Sequence, residues 1–83
     1  MTEIEYREHL KDMIRQECRY FEKLKDNGFV YYMYLNECKN SEESGLYQLI
    51  LNGHELWHGT LLEIRAIVQS MCIREERNDF FDS

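Results

Sequence analysis

Proline is absent from the 83-residue sequence, and glycine occurs only four times. These two residues are concentrated in turns and in the linkers between domains, so no segment of the chain has the composition of a linker. Compact domains commonly run to about 100–200 residues, which leaves no length for a second core. We therefore expect a single domain over residues 1–83.

Cysteine is also scarce. Cys18, Cys38 and Cys72 are odd in number, far apart and without a CxxC pair, which is typical of neither a disulfide scaffold nor a zinc ribbon. The opening residues, MTEIEYREHL, are charged, and no apolar run approaches the roughly 20 residues that cross a bilayer. We expect a cytoplasmic protein with reduced thiols and no membrane partner.

Basic residues are outnumbered, with 10 Lys and Arg against 16 Asp and Glu and a net charge of −6. Nucleic-acid binders need a positive surface to displace condensed counterions, so this acidic balance predicts no nucleic-acid partner. An apolar content of 43% is sufficient for a folded core. A domain of this size is marginally stable unless an oligomer, a metal or a partner adds burial.

The remaining pattern predicts an α+β fold with the element order α-β-β-β-α. Two capping boxes, Thr2 with Glu5 and Thr60 with Glu63, begin helices, and the Asn-Gly pair at 52–53 is a strong signal for a two-residue hairpin turn. We predict a three-stranded antiparallel meander and two packing helices. The predicted elements are a helix over 3–26, strands over 29–35, 46–51 and 54–58, a helix over 61–76 and a tail over 77–83.

Double-stranded-RNA-binding domains share this element order, and the chain resembles them only to that extent. Those domains place lysines at the start of the second helix to reach phosphates. Here the same turn reads Thr60-Leu61-Leu62-Glu63, and its carboxylate would repel a phosphate. We therefore rank nucleic acid lowest among the possible partners.

One motif could carry chemistry, because His54-Glu55-Leu56-Trp57-His58 is an HExxH sequence. On a helix, His54 and His58 would share a face and hold one Zn²⁺, and Glu55 would deprotonate the metal-bound water. On a strand, the two histidines lie about 13 Å apart and cannot share a tetrahedral metal. Asn52 could cap the N-terminus of such a helix. Gly53, which is unfavourable inside a helix, and the helix cap at Thr60 favour the strand instead, and we adopt the strand.

The first predicted helix has two contrasting sides. Its apolar residues occupy one broad arc, and we expect this arc, which includes Tyr6 and Tyr20, to face the core. Glu17 lies in the middle of the arc and either pairs with Arg65 of the second helix or lines an interface. Acidic residues alternate with basic ones along the other side, which predicts a solvated, salt-bridged ridge. The basic residues of this ridge are Arg7, Lys11, Arg15, Arg19 and Lys23.

Both faces of the predicted sheet are apolar. A two-residue hairpin places Leu49 opposite Leu56, which puts His54 and His58 on the face of Leu49 and Trp57 on the other face. If both helices cover the same face of the sheet, the other face keeps exposed aromatic side chains. If the helices lie on opposite faces, both faces of the sheet are hidden. We favour the first arrangement, with an interface on the surface that is left open. The predicted interface residues are Tyr32, Tyr34, Trp57, Leu62 and Ile73.

The sequence contains no glycine-rich phosphate loop and no nucleophile elbow. We predict a protein-binding module that acts as a homodimer or as the small partner in a complex, with no catalytic residue and no cofactor. The alternative is a minimal zinc hydrolase in which His54 and His58 bind the metal and Glu55 is the base.

Overall fold

The predicted α+β fold is confirmed: a helix, a three-stranded antiparallel sheet and a second long helix follow one another along the chain. The computed structural model describes the backbone of residues 2–25 and 31–81 and the side chains of residues 2–25 and 31–77. Its elements are α1 (Glu3–Leu24), β1 (Met33–Asn36), α2 (Ser41–Ser44), β2 (Tyr47–Leu51), β3 (His54–Gly59) and α3 (Leu61–Phe81).

Both long helices begin where the capping boxes predict. The Thr2 hydroxyl accepts from the backbone N–H of Glu5 at 3.1 Å, and the Thr60 hydroxyl accepts from that of Glu63 at 3.3 Å. The predicted tail over 77–83 is wrong as far as Phe81, because α3 continues to that residue. No glycine or proline follows position 76, so no residue there opposes further helical turns.

The segment between β1 and β2 contains a helical turn, α2, that the polar sequence there did not predict. It ends at Gly45, whose φ of 72° lies in the left-handed region that glycine adopts readily. β1 begins at Met33, later than the predicted start of its strand. The predicted start at 29 and the predicted end of the first helix at 26 lie outside the described residues.

The hairpin between β2 and β3 is confirmed. Asn52 and Gly53 have φ values of 51° and 83°, which are those of a type I′ turn. The Asn52 side chain also accepts from the backbone N–H of Tyr32 at 2.8 Å, which ties the turn to the start of β1. The strand order is β1-β2-β3, so β1 and β3 are the edges of an open sheet.

The predicted pairing of Leu49 with Leu56 is wrong, because β3 carries a bulge. Leu49 pairs with Trp57, and Ile50 pairs with Glu55, so one residue of β3 is extra at this point. Side chains alternate between faces along a regular strand, and one extra residue reverses that alternation for the rest of β3. Trp57 therefore lies on the face of Leu49, and His58, which pairs with Gln48, lies on the opposite face.

Both long helices pack on the same face of the sheet. They run side by side in the same direction, because Glu17 contacts Arg65 near the beginning of α3 and Lys25, further along α1, pairs with Glu75, further along α3. The alternative in which the helices cover opposite faces is therefore wrong. The core joins α1, the inward side chains of the sheet and α3 through Leu10, Ile14, Cys18, Phe21, Met33, Leu35, Tyr47, Leu49, Leu61, Ile64, Val68 and Cys72.

The other face of the sheet, which we call the outer face, carries Tyr34, Gln48 and Ile50. None of these three residues belongs to the core cluster. Within the described ranges, no helix combines the length and the apolar character needed to cross a membrane.

Candidate binding surface

The HExxH residues lie on β3, an exposed strand. His54 and His58 are thus about 13 Å apart along an extended backbone, and the one-turn helical spacing that zinc peptidases use is not formed. Glu55 instead accepts from Gln48 Nε2 at 2.9 Å and lies 3.9 Å from His58 Nδ1. Among the side chains that the structure describes, no group of three or more His, Cys, Asp or Glu residues could hold a metal ion.

Gln48 connects Glu55 to a short polar network on the outer face. Its carbonyl oxygen accepts from Asn36 Nδ2 at 2.7 Å and from the Cys38 thiol at 3.2 Å. The network joins β1, β2 and β3 through neutral groups and one carboxylate, so it pins the strands together without forming a nucleophile and base pair.

The predicted interface residues lie in three separate places. Tyr32 and Tyr34 stack at a centroid distance of 5.2 Å, with Tyr32 exposed and Tyr34 half-buried beside it. Trp57 is exposed at the β3 edge, on the helix-facing side of the sheet. Leu62 and Ile73 are exposed on α3. The structure therefore does not combine these five residues into one patch.

Trp57 is held in place by the beginning of α3. Its indole N–H donates to Glu63 Oε2 at 3.1 Å, and Thr60 donates to the other carboxylate oxygen at 3.1 Å. These contacts, with that from Trp57 the largest, hold the pKa of Glu63 below its ordinary value. Gly59 leaves the space that the indole needs, because a Cβ atom there would lie 2.5 Å from Trp57 Nε1.

Another apolar surface lies along the line where α1 and α3 meet. We call it the seam surface and define it by Tyr6, Tyr20, Leu62 and Ile73, which are between 44% and 59% exposed. Tyr6 and Leu62 line a groove of about 310 Å³ near the start of both helices, and Tyr20 and Ile73 line another of about 380 Å³ further along. The first groove is also lined by Gly45 and Tyr47 at the beginning of β2. Apolar grooves of this kind can accept side chains of another chain.

The prediction that Tyr6 and Tyr20 face the core is wrong. The apolar arc of α1 is too wide to be buried at once, because Cys18 and Tyr20 lie about 160° apart around the helix. Cys18 faces the sheet and is buried, which turns Tyr20 out of the core, where its hydroxyl donates to Glu76. The width of that arc is the sequence signal that could have identified the seam surface.

Glu17 lines the second groove beside Tyr20 and Ile73, and the first of its two predicted alternatives, pairing with Arg65, is confirmed. Glu17 Oε1 lies 3.5 Å from Arg65 Nε and accepts from Gln69 Nε2 at 3.3 Å. Its Oε2 is buried without a hydrogen-bond partner among the described residues. A buried carboxylate oxygen without a donor is unfavourable, so this position favours a partner that brings one.

The predicted solvated ridge on α1 is wrong at Lys11, which is buried. Its ammonium group pairs with Glu37 and with Glu8 and lies 5.4 Å from the centre of the Tyr47 ring. Burial by itself lowers the pKa of Lys11, but the two carboxylates outweigh it and raise the pKa above its ordinary value. The bond from Lys11 lowers the pKa of Glu37.

Two arginines of the same ridge also contact the segment that follows β1. Arg15 lies 3.4 Å from Glu37, and Arg7 donates to the backbone carbonyl of Glu42 at 3.4 Å. These contacts hold the segment from 37 to 42 against α1, so basic side chains here position a connection and are not free to bind an anionic partner.

Comparison with protein-family models, with curated proteins and with solved structures finds no match to this chain.

Proposed function

We propose that this protein is a protein-binding module and that the seam surface is where its partner chain binds. The observation that carries the proposal is the exposure of Tyr6, Tyr20, Leu62 and Ile73 at the two grooves between α1 and α3. Large apolar side chains grouped on a small domain are typical of protein interfaces, and tyrosines there commonly anchor the partner.

The acidic charges near the seam surface favour a protein partner over an anionic ligand. Glu17 and Glu76 flank this surface, and the whole chain carries a net charge of −6. We propose that the partner is a second copy or another small protein in the cytoplasm, where the three cysteines remain thiols. Nucleic acid is disfavoured as a partner by the same charge.

Photo-crosslinking in cells tests this proposal. A photoreactive amino acid replaces Leu62 or Ile73, and in a matched variant it replaces Ser70, which is exposed on another side of α3. We expect both seam positions to give a discrete crosslinked product of defined mass and Ser70 to give none. Equal crosslinking at all three positions, or none at Leu62 and Ile73, would contradict the proposal.

A further inference from the structure

The two edges of the sheet differ. The β1 edge is approached by α1, because the backbone N–H of Met33 donates to Glu22 Oε1 at 2.8 Å. β3 pairs with β2 on one side only, and its residues from His54 to His58 are all exposed. Among the described residues, nothing pairs with the free side of β3. An open edge of this kind can accept another strand.

Because of the bulge, the side chains of β3 do not alternate regularly between the two faces of the sheet. Glu55 pairs with Ile50 and His58 pairs with Gln48, so both lie on the outer face, where they approach to 3.9 Å. Trp57 lies on the helix-facing side opposite Leu49, and Leu56 is the extra residue at the bulge, without a partner in β2. His54 and Gly59, at the two ends of the strand, also pair with inward residues, Leu51 and Tyr47.

We propose that β3 is a self-complementary edge that pairs antiparallel with β3 of a second copy. In this pairing Glu55 lies opposite the partner's His58, Leu56 lies opposite the partner's Trp57, and His54 lies opposite the partner's Gly59. The result is one continuous six-stranded sheet with all four long helices on the same face. A twofold axis relates the two copies, which is the commonest arrangement for a homodimer.

The faces select this alignment. Residues that are opposite each other in a sheet must lie on the same face, and the alignment meets this condition for Glu55 with His58 and for His54 with Gly59. A shift by one residue places Glu55, on the outer face, opposite the partner's Trp57, on the inner face. It also places His54 opposite the partner's His58, which loses the contact between a carboxylate and an imidazole.

The chemistry of the pairs is complementary on both faces. On the outer face, two carboxylates alternate with two imidazoles, because each Glu55 meets the partner's His58. At the bulge, each Leu56 meets the partner's Trp57, so apolar side chains that are exposed in one copy cover each other. None of these residues belongs to the seam surface, so this inference and the proposed function can fail separately.

Charge-swap variants test the pairing by sedimentation equilibrium at high micromolar concentration. We expect the wild type to be a dimer and to dissociate at least about tenfold more readily as Glu55→Lys or as His58→Glu. Glu55→Lys removes both contacts between a carboxylate and an imidazole. His58→Glu creates two pairs of opposing carboxylates in each dimer. Glu43→Lys makes the same change of charge as Glu55→Lys on exposed α2 and should dimerise like the wild type.

An equimolar mixture of Glu55→Lys and His58→Glu chains should restore the dimer. In the mixed dimer the introduced lysine of one copy meets the introduced glutamate of the other, and the remaining native pair is His58 with the partner's Glu55. One outer-face pair then joins opposite charges, and the other joins a carboxylate and an imidazole as in the wild type.

Amide exchange of the wild type adds a measurement that needs no variant. Protection of the β3 amides should rise with protein concentration, whereas that of the β2 amides should not. A monomeric wild type, a dimer that Glu55→Lys leaves unchanged, or a mixture that stays monomeric would overturn the pairing. A dimer whose only concentration-dependent protection is at the seam surface would overturn it too, while supporting the proposed function.

Discussion

At the scale of single residues, Glu37 shows how a loop carboxylate contributes to stability. It pairs with Lys11 and lies 3.4 Å from Arg15, and its pKa is lowered below the ordinary value of 4.5. A carboxyl group whose pKa is lower in the folded chain stabilises the fold above the unfolded pKa. That contribution is lost as the pH falls through the folded pKa.

We therefore expect Glu37→Gln to destabilise the protein at pH 7 and to have progressively less effect as the pH falls through the folded pKa of Glu37, because the wild-type carboxylate is itself protonated below that pKa. Urea unfolding over a series of pH values measures the free energy of both proteins. Glu43→Gln neutralises an exposed carboxylate in the same segment and should keep the wild-type pH dependence. If both variants keep the wild-type pH dependence of stability, Glu37 is not the group responsible for that dependence.

Gly59 is a second residue whose role depends on its neighbours. A methyl group at this position would lie 2.5 Å from Trp57 Nε1, and the indole would have to move away from Glu63. We expect Gly59→Ala to lower the free energy of unfolding by about 1–3 kcal/mol, as overpacking commonly does. Emission of Trp57, the single tryptophan, should change with it, because the indole leaves its hydrogen bond.

Chemical denaturation followed by Trp57 emission measures both effects in one experiment. Ser70→Ala, an exposed change on α3, is the matched control and should leave the emission unaltered. A Gly59→Ala protein with wild-type emission and stability would show that the indole has room to move.

At the scale of elements, the secondary structure of one segment determines what the HExxH motif can do. Strand β3 separates His54 from His58, and the bulge turns His58 to the outer face while His54 faces inward. We expect the protein purified without chelator to retain no stoichiometric zinc. Elemental analysis measures this. One tightly bound zinc per chain that is lost in the double variant His54→Ala/His58→Ala would instead favour the hydrolase alternative.

The same scale shows where local signals are sufficient. The capping boxes and the Asn-Gly turn are decided within four residues, so the starts of α1, β3 and α3 could be predicted. The end of α3 has no such signal, and the helix continues into the predicted tail. The bulge has none either, because it depends on how β3 packs against β2 and α3.

At the scale of the whole molecule, the three thiols report on the core that joins the elements. Cys18 on α1 and Cys72 on α3 are buried, and burial raises the pKa of Cys18 to about 12 and also raises that of Cys72. Cys38 is half-buried in the segment after β1. Because thiolates are the reactive form, burial and the raised pKa values of Cys18 and Cys72 disfavour their modification in the folded chain, which leaves Cys38 as the accessible thiol.

We expect a maleimide at pH 8 to modify one thiol per chain rapidly and the other two only as the core opens, at a rate that denaturant increases. Mass spectrometry of the time course counts the modified thiols. Cys38→Ser should abolish the rapid phase without changing the slow one. Rapid modification of all three thiols in native conditions would contradict a core shared by α1 and α3.

The sequence by itself determined the class of fold, the element order and the hairpin, because each follows from signals between residues close together in the chain. It also predicted Leu62 and Ile73 as interface residues, and both are exposed. Only the tertiary structure decided which residues share a surface. Both helices lie on one face of the sheet, Tyr20 turns outward because Cys18 occupies the core, and Lys11 is buried because Glu37 returns to meet it. These outcomes depend on contacts between distant segments, which no local pattern specifies.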